Sequence, residues 1–125
     1  MCVVKTGEFK QEILKVYNEV MLDVFHVGVT GYHVDFYKNM IILVCEKARS
    51  PVAKLMADYL PEAMTISFDA QIEAVLKRKI KTLFEEKLKL NIILVAKDRD
   101  FAEEGTGSSV TVLFLDKNVK EYLMD

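Results

Sequence analysis

The chain has 125 residues, 51% of them hydrophobic and 29% charged, with a net charge of −2 and a pI of about 5.7. That composition describes one ordinary globular domain over residues 1–125, with enough apolar material for a core without disulfides or a structural metal. The near-neutral balance excludes a global field that would draw the chain to nucleic acid or anionic lipid, and no window approaches the ~20 apolar residues of a membrane span.

The first eight residues include Lys5 and Glu8 and no apolar stretch long enough for a secretion signal. Cys2 and Cys45 lie far apart, and Cys45 ends an apolar strand, where cysteine behaves as a small hydrophobe. A reduced, cytoplasmic setting is therefore expected.

Thr6 is a plausible N-cap for a first helix running to about Val27. Phe9, Ile13, Val16, Tyr17, Val20, Val24 and Val27 recur every three or four residues as one apolar stripe, and Gly28 ends it. Val29–Tyr37 reads as a strand with mixed faces. Tyr37-Lys38-Asn39 is a short turn, with Asn39 the residue tolerant of positive φ, and the apolar strand Met40–Glu46 completes a hairpin. Ser50-Pro51 signals the start of a short helix that Pro61 stops. Ser67 or Asp69 then caps a long helix reaching about Lys89, with Ile72, Val75, Leu76, Ile80, Leu83 and Phe84 inside. Strand Asn91–Lys97, a polar loop, strand Ser109–Asp116 and a final helical turn over Val119–Met124 follow.

The order αββ-α-αββ repeats one unit, a helix followed by a strand pair. It predicts an α+β fold: a mostly antiparallel four-stranded sheet with two long helices on one face. The wholly apolar runs Met40–Cys45 and Ile92–Ala96 are expected at the sheet centre, with Val29–Tyr37 and Ser109–Asp116 as edges. Two helices cover one face most easily. The other face then needs the short helix or a second subunit, and a homodimer is the favoured expectation.

Few residues suggest chemistry. Asp98, Asp100 and Glu103 lie in the acidic stretch Asp98–Ser109, which could hold a hard cation through oxygen ligands, although its spacing is not that of an EF-hand. The bland reading is a solvated hairpin loop. Gly105-Thr106-Gly107-Ser108-Ser109 runs into a strand and not a helix, which weakens it as a phosphate cradle. His33 and Asp35 differ by two and share a strand face; they could form an acid–base couple, or simply an exposed contact. Lys77, Arg78 and Lys81 fall on the polar side of the long helix, whereas Lys79 falls within its apolar arc. Lys79 either snorkels along the sheet edge or meets an anion or partner. Nothing identifies a catalytic constellation, metal site or cofactor.

The passage Tyr37-Lys38-Asn39-Met40-Ile41-Ile42-Leu43-Val44-Cys45-Glu46, leading through Arg49-Ser50-Pro51-Val52-Ala53-Lys54-Leu55, resembles the strand-then-capped-helix region of the MpsC-like family, a small bacterial domain. Strand Asn91–Lys97, Asp98-Arg99-Asp100 and Val112-Leu113-Phe114-Leu115-Asp116 resemble that family's second half. The likeness is that of a divergent member: Lys54 stands where the family has an acidic residue, and Gln71 near where it has an arginine. The resemblance implies a non-enzymatic accessory protein of a sodium-dependent, membrane-potential-generating system linked to inorganic-carbon uptake, with a membrane transport component as partner. The rival expectation is a small-ligand or cation-binding regulatory domain using residues 98–109. An enzyme using His33 and Asp35 ranks last.

Overall fold

A computed structural model describes residues 6–25, 28–48, 55, 58–101 and 106–123. Helix α1 spans Thr6–Phe25 and buries Phe9, Ile13, Val16, Tyr17 and Val20 of the expected stripe, together with Met21 and Phe25, which that stripe omits; Val24 is half-buried and Val27 lies outside the described residues. The carboxamide oxygen of Asn18 accepts the Val29 N–H at 3.0 Å, and a Cβ on Gly28 would sit 3.1 Å from that same oxygen. Glycine thus lets the chain pass close to the helix as it turns into the sheet.

Strands β1 (Thr30–Tyr37) and β2 (Met40–Ala48) form the first hairpin. Positive φ falls on Lys38 (+55°), one residue before the asparagine expected to take it. Asn39 is used differently: its side chain donates to the Leu115 carbonyl at 3.0 Å, and its own carbonyl accepts the Leu115 N–H at 2.8 Å.

Helix α2 spans Glu62–Leu88, beginning well before the Ser67 or Asp69 cap expected from the sequence. Pro61 occupies its N-cap and accepts the Met64 N–H at 3.0 Å. A proline costs a helix nothing at its first turn, where its missing N–H has no partner to lose, so Pro61 opens this helix as well as closing what precedes it. Leu55, Asp58 and Tyr59 are helical, while the Ser50-Pro51 start of the expected short helix lies outside the described residues. At its far end α2 stops at Lys89, which takes the left-handed conformation usual for glycine.

Strands β3 (Ile92–Phe101) and β4 (Thr106–Leu115) form a longer hairpin than the sequence suggests. The ladder runs on through Asp98↔Val110, Arg99↔Ser109, Asp100↔Ser108 and Phe101↔Gly107. Much of the supposed polar loop is therefore strand. A 3-10 turn over Val119–Tyr122 follows, capped reciprocally by Asn118 and Glu121.

The four strands are antiparallel in the order β1-β2-β4-β3, and both helices pack on one face. The fold is α+β, as the element order predicts. Strand placement differs in one respect: Ser109–Leu115 is central and the apolar run Ile92–Ala96 lies on an edge. Strands β2 and β3 both run antiparallel to β4, so they point the same way; set side by side they would form a parallel ladder, and β4 between them keeps every ladder antiparallel. The apolar run on β3 has its own cause. A bulge between Ile92 and Leu94 leaves Ile93 unpaired and resets the alternation. Ile92 and Val95 therefore point to the core, while Ile93 and Leu94 are exposed.

The core lies between the helices and the inner sheet face, where Ile41, Leu43 and Cys45 of β2 and Leu113 and Leu115 of β4 meet Ile13, Tyr17, Met21, Leu76, Ile80 and Phe84. The turn at one end is clasped. Val119 N–H donates to Lys38 O at 2.8 Å, Tyr122 Oη donates to Asp116 Oδ1 at 2.6 Å, and Asn91 bonds both Asp116 and the Tyr122 hydroxyl.

Candidate functional site

Alternation along each strand assigns every second residue to the outer sheet face. Register then aligns those residues in rows across the four strands. One row reads His33, Val44, Val110, Asp98; the next Asp35, Ile42, Val112, Ala96; the third Tyr37, Met40, Phe114, Leu94. Over these three rows the two central columns are apolar and the charged residues stand on the edge strands; the next row brings exposed Glu46 of β2 opposite exposed Ser108 of β4. Val44 is 37% exposed, Val110 42%, Leu94 55% and Tyr37 56%, so no described element covers this face. Burial on the helix side and exposure here come from the same strands: β2 sends Ile41, Leu43 and Cys45 inward and Ile42 and Val44 outward. Water contacts an apolar sheet face of this kind at a cost proportional to its area.

His33 and Asp35 are brought together at one margin of the face, Nε2 to Oδ2 at 3.1 Å, both well exposed. Their cross-strand neighbours are Val44 and Ile42, side chains that can neither accept nor donate a proton. The pair is an exposed surface contact. Asp98 lies at the opposite margin, on β3 opposite Val110. Asp100 stands opposite Ser108 in the same ladder, and Glu103 lies outside the described residues. The hairpin thus draws Asp98 and Asp100 out along an extended strand instead of curling them around a cation. Among the described residues no group of three acidic, histidine or cysteine side chains could hold a metal ion.

Lys79 is on the far side of the molecule. Its ammonium bonds Asp23 of α1 at 2.5 Å, and Lys87 bonds Glu19 at 2.6 Å. Neither snorkelling along the sheet nor a free anion contact describes it, because Lys79 ties α2 to α1. The two ion pairs flank a groove of 560 Å³ between the helices, floored by Val20, Val75 and Leu83. Exposed pairs of this kind contribute little stability, ~0–1 kcal/mol each.

Sequence reasoning missed a polar cluster beneath the sheet. Tyr17 Oη and Thr111 Oγ1, both fully buried, lie 3.1 Å apart, and Lys97 Nζ donates to Tyr17 at 3.1 Å and to Thr111 at 3.5 Å. The ammonium also stands 5.8 Å from the centre of the Tyr17 ring. Cys45 is buried on the same inner face, and burial pushes its thiol up to about 11 despite the opposing pull of Lys97. It is a packed thiol and no nucleophile at neutral pH. The available signal was a threonine in the middle of an apolar strand and a tyrosine inside an apolar stripe, each of which needs a hydroxyl partner when buried.

No protein-family model, curated protein or solved structure matches the chain. No helix among the described residues is long and apolar enough to cross a membrane.

Proposed function

We propose that the chain is a non-enzymatic interaction module, cytoplasmic, that forms a homodimer through the outer face of its sheet. The observation that carries this reading is the apolar double column Met40, Ile42, Val44 and Val110, Val112, Phe114, with Val44 and Val110 exposed at its middle. Four strands at ~4.8 Å spacing and about seven residues along each give a plan area of roughly 450 Å² before side-chain relief. Relief and flanking residues bring that to the low end of specific interfaces. The resemblance to the MpsC-like family supports docking of this module on a membrane transport component. Sedimentation velocity from low to high micromolar concentration tests the core of the proposal: a concentration-dependent shift from monomer to dimer is expected, lost in Val110→Glu. A monomer throughout would refute it.

A further inference from the structure

A cavity of about 470 Å³ lies at one end of the core, between the start of α1, the end of β1 and the 3-10 turn. Among the described residues its floor is Phe36, Val119 and Leu123, and its rim is Thr6, Lys38, Asn118 and Lys120. Phe36 pairs with the buried Ile41, so the cavity opens beneath the sheet and not on the outer face that Tyr37 belongs to. Its volume falls within the ~300–1,000 Å³ of small-molecule sites. Val119 is buried, but Phe36 and Leu123 are only half-buried, which leaves apolar surface for a guest.

The surroundings are cationic. Lys79 and Lys87 each bond a carboxylate, whereas Lys10, Lys38 and Lys120 bond none among the described residues. Lys10 Nζ stands 5.5 Å from the centre of the Phe36 ring, and Lys38 Nζ 5.2 Å from that of Tyr37. A ring face attracts a cation without cancelling its charge. The acids of this end are committed or turned away. Asp116 accepts from Tyr122 and Asn91 with Lys117 beside it, and Glu121 accepts the Asn118 N–H. Glu8 and Glu12 stand two residues either side of Lys10, about 200° around α1, and so lie on the far side of that helix. Asn118 Oδ1 accepts the Lys120 N–H, so the carboxamide NH2 is the group left to donate.

We propose that this cavity binds a phosphate monoester with a compact apolar or aromatic body, the body resting on Phe36, Val119 and Leu123 and the phosphate held between Lys38 and Lys120. A phosphate monoester carries close to two negative charges at neutral pH, which suits several ammonium groups better than a single carboxylate would. Lysine meets it as a point charge on a flexible stem, so Lys38 and Lys120, both exposed, can close on it. The site does not depend on the homodimer, because the sheet separates it from the outer face.

A 1H–15N NMR titration of the full chain with phenyl phosphate tests the site. Saturable shifts are expected at the amides of Phe36, Val119 and Leu123, with those of Val44, Val110 and Val112 unmoved, at a dissociation constant of about 1 mM or tighter. Inorganic phosphate, the head alone, and benzyl alcohol, an aromatic body without charge, should each bind about tenfold more weakly. Lys38→Gln and Lys120→Gln should each weaken phenyl phosphate about fivefold at unchanged urea midpoints, and Lys15→Gln, exposed elsewhere on α1, should not. No shift at the three cavity amides up to about 20 mM overturns the proposal. Equal binding of benzyl alcohol also overturns it, leaving an apolar hole, and equal binding of inorganic phosphate does so by reducing the site to scattered lysines. An affinity that the Lys38→Gln/Lys120→Gln double variant leaves intact has the same consequence.

Discussion

The buried cluster of Tyr17, Thr111 and Lys97 sets a stability that a double-mutant cycle can measure. Tyr17→Phe removes the hydroxyl that Thr111 meets at 3.1 Å and that Lys97 donates to at 3.1 Å. One neutral and one charge-assisted bond are lost, worth together about 2.5–4 kcal/mol before compensation. Lys97 is only half buried, so its ammonium can turn to water or settle on Thr111, already 3.5 Å away, and the net loss is about 2 kcal/mol. Thr111→Val keeps the shape and leaves Tyr17 with its lysine, costing about 1 kcal/mol. The double variant should cost no more than about 2 kcal/mol, a coupling of about 1 kcal/mol. Urea unfolding reads these as midpoint shifts at constant m, and by heat each kcal/mol moves Tm by about 4 °C in a chain this size. Strict additivity, or a Tyr17→Phe loss below about 0.5 kcal/mol, would show that the hydroxyls do not act as one network.

Three further outcomes are expected. The Cys45 thiol is held protonated by burial, raised from 9.0 to about 11, so its contribution is fully present below about pH 9 and is lost as pH rises toward about 11, by roughly 1.4 kcal/mol per pH unit; wild type minus Cys45→Val in urea midpoints across that range isolates the slope, and parallel curves would contradict it. Tyr122 and then Asn91 hold the Asp116 carboxyl below its ordinary range, so its stabilisation is present above the usual carboxylate pKa and fades as pH falls through the lowered one; Asp116→Asn should flatten the acid limb of the stability profile, and an unchanged limb would remove Asp116 from the clasp's energetics. Lys89→Gly relieves a left-handed residue at the end of α2 and should raise stability by up to about 1 kcal/mol in thermal unfolding, whereas a loss would mean that the lysine side chain contributes there.

Legibility in the sequence followed periodicity. The α1 stripe and both hairpins read directly, because spacings of three and four, or of two, are imposed by one face of burial. The start of α2 did not, since Pro61 serves equally as a stop and as an opening residue, and only the hydrogen bond from Met64 separates the two roles. The apolar run of β3 was misleading as to strand order. It reflects the bulge at Ile93 and an outer face that is itself apolar, and neither can be told from central burial by composition. At the site, the His33–Asp35 contact was readable from a separation of two. The alignment of Asp98 with His33 through Val44 and Val110 was not, because it depends on three registers at once. The wheel places Lys79 in the apolar arc, whereas in the structure it is exposed and bonds Asp23, 56 residues away on another helix, a contact no helical spacing reveals.

The position of β4 bears on how the chain reaches its fold. The strand laid down last in the sequence is the one through which both others of its neighbourhood are joined, with Met40 held against Phe114 across most of the chain. Until residues near 115 have left the ribosome, β2 and β3 each lack the ladder neighbour that completes them, and their backbone donors and acceptors stay open to any other strand. Closing so long a loop is slow compared with forming either helix. A stop codon between β3 and β4 would release a product in which β3 has no ladder partner and β2 lacks one of its two, prone to aggregation, and no smaller version of the same domain.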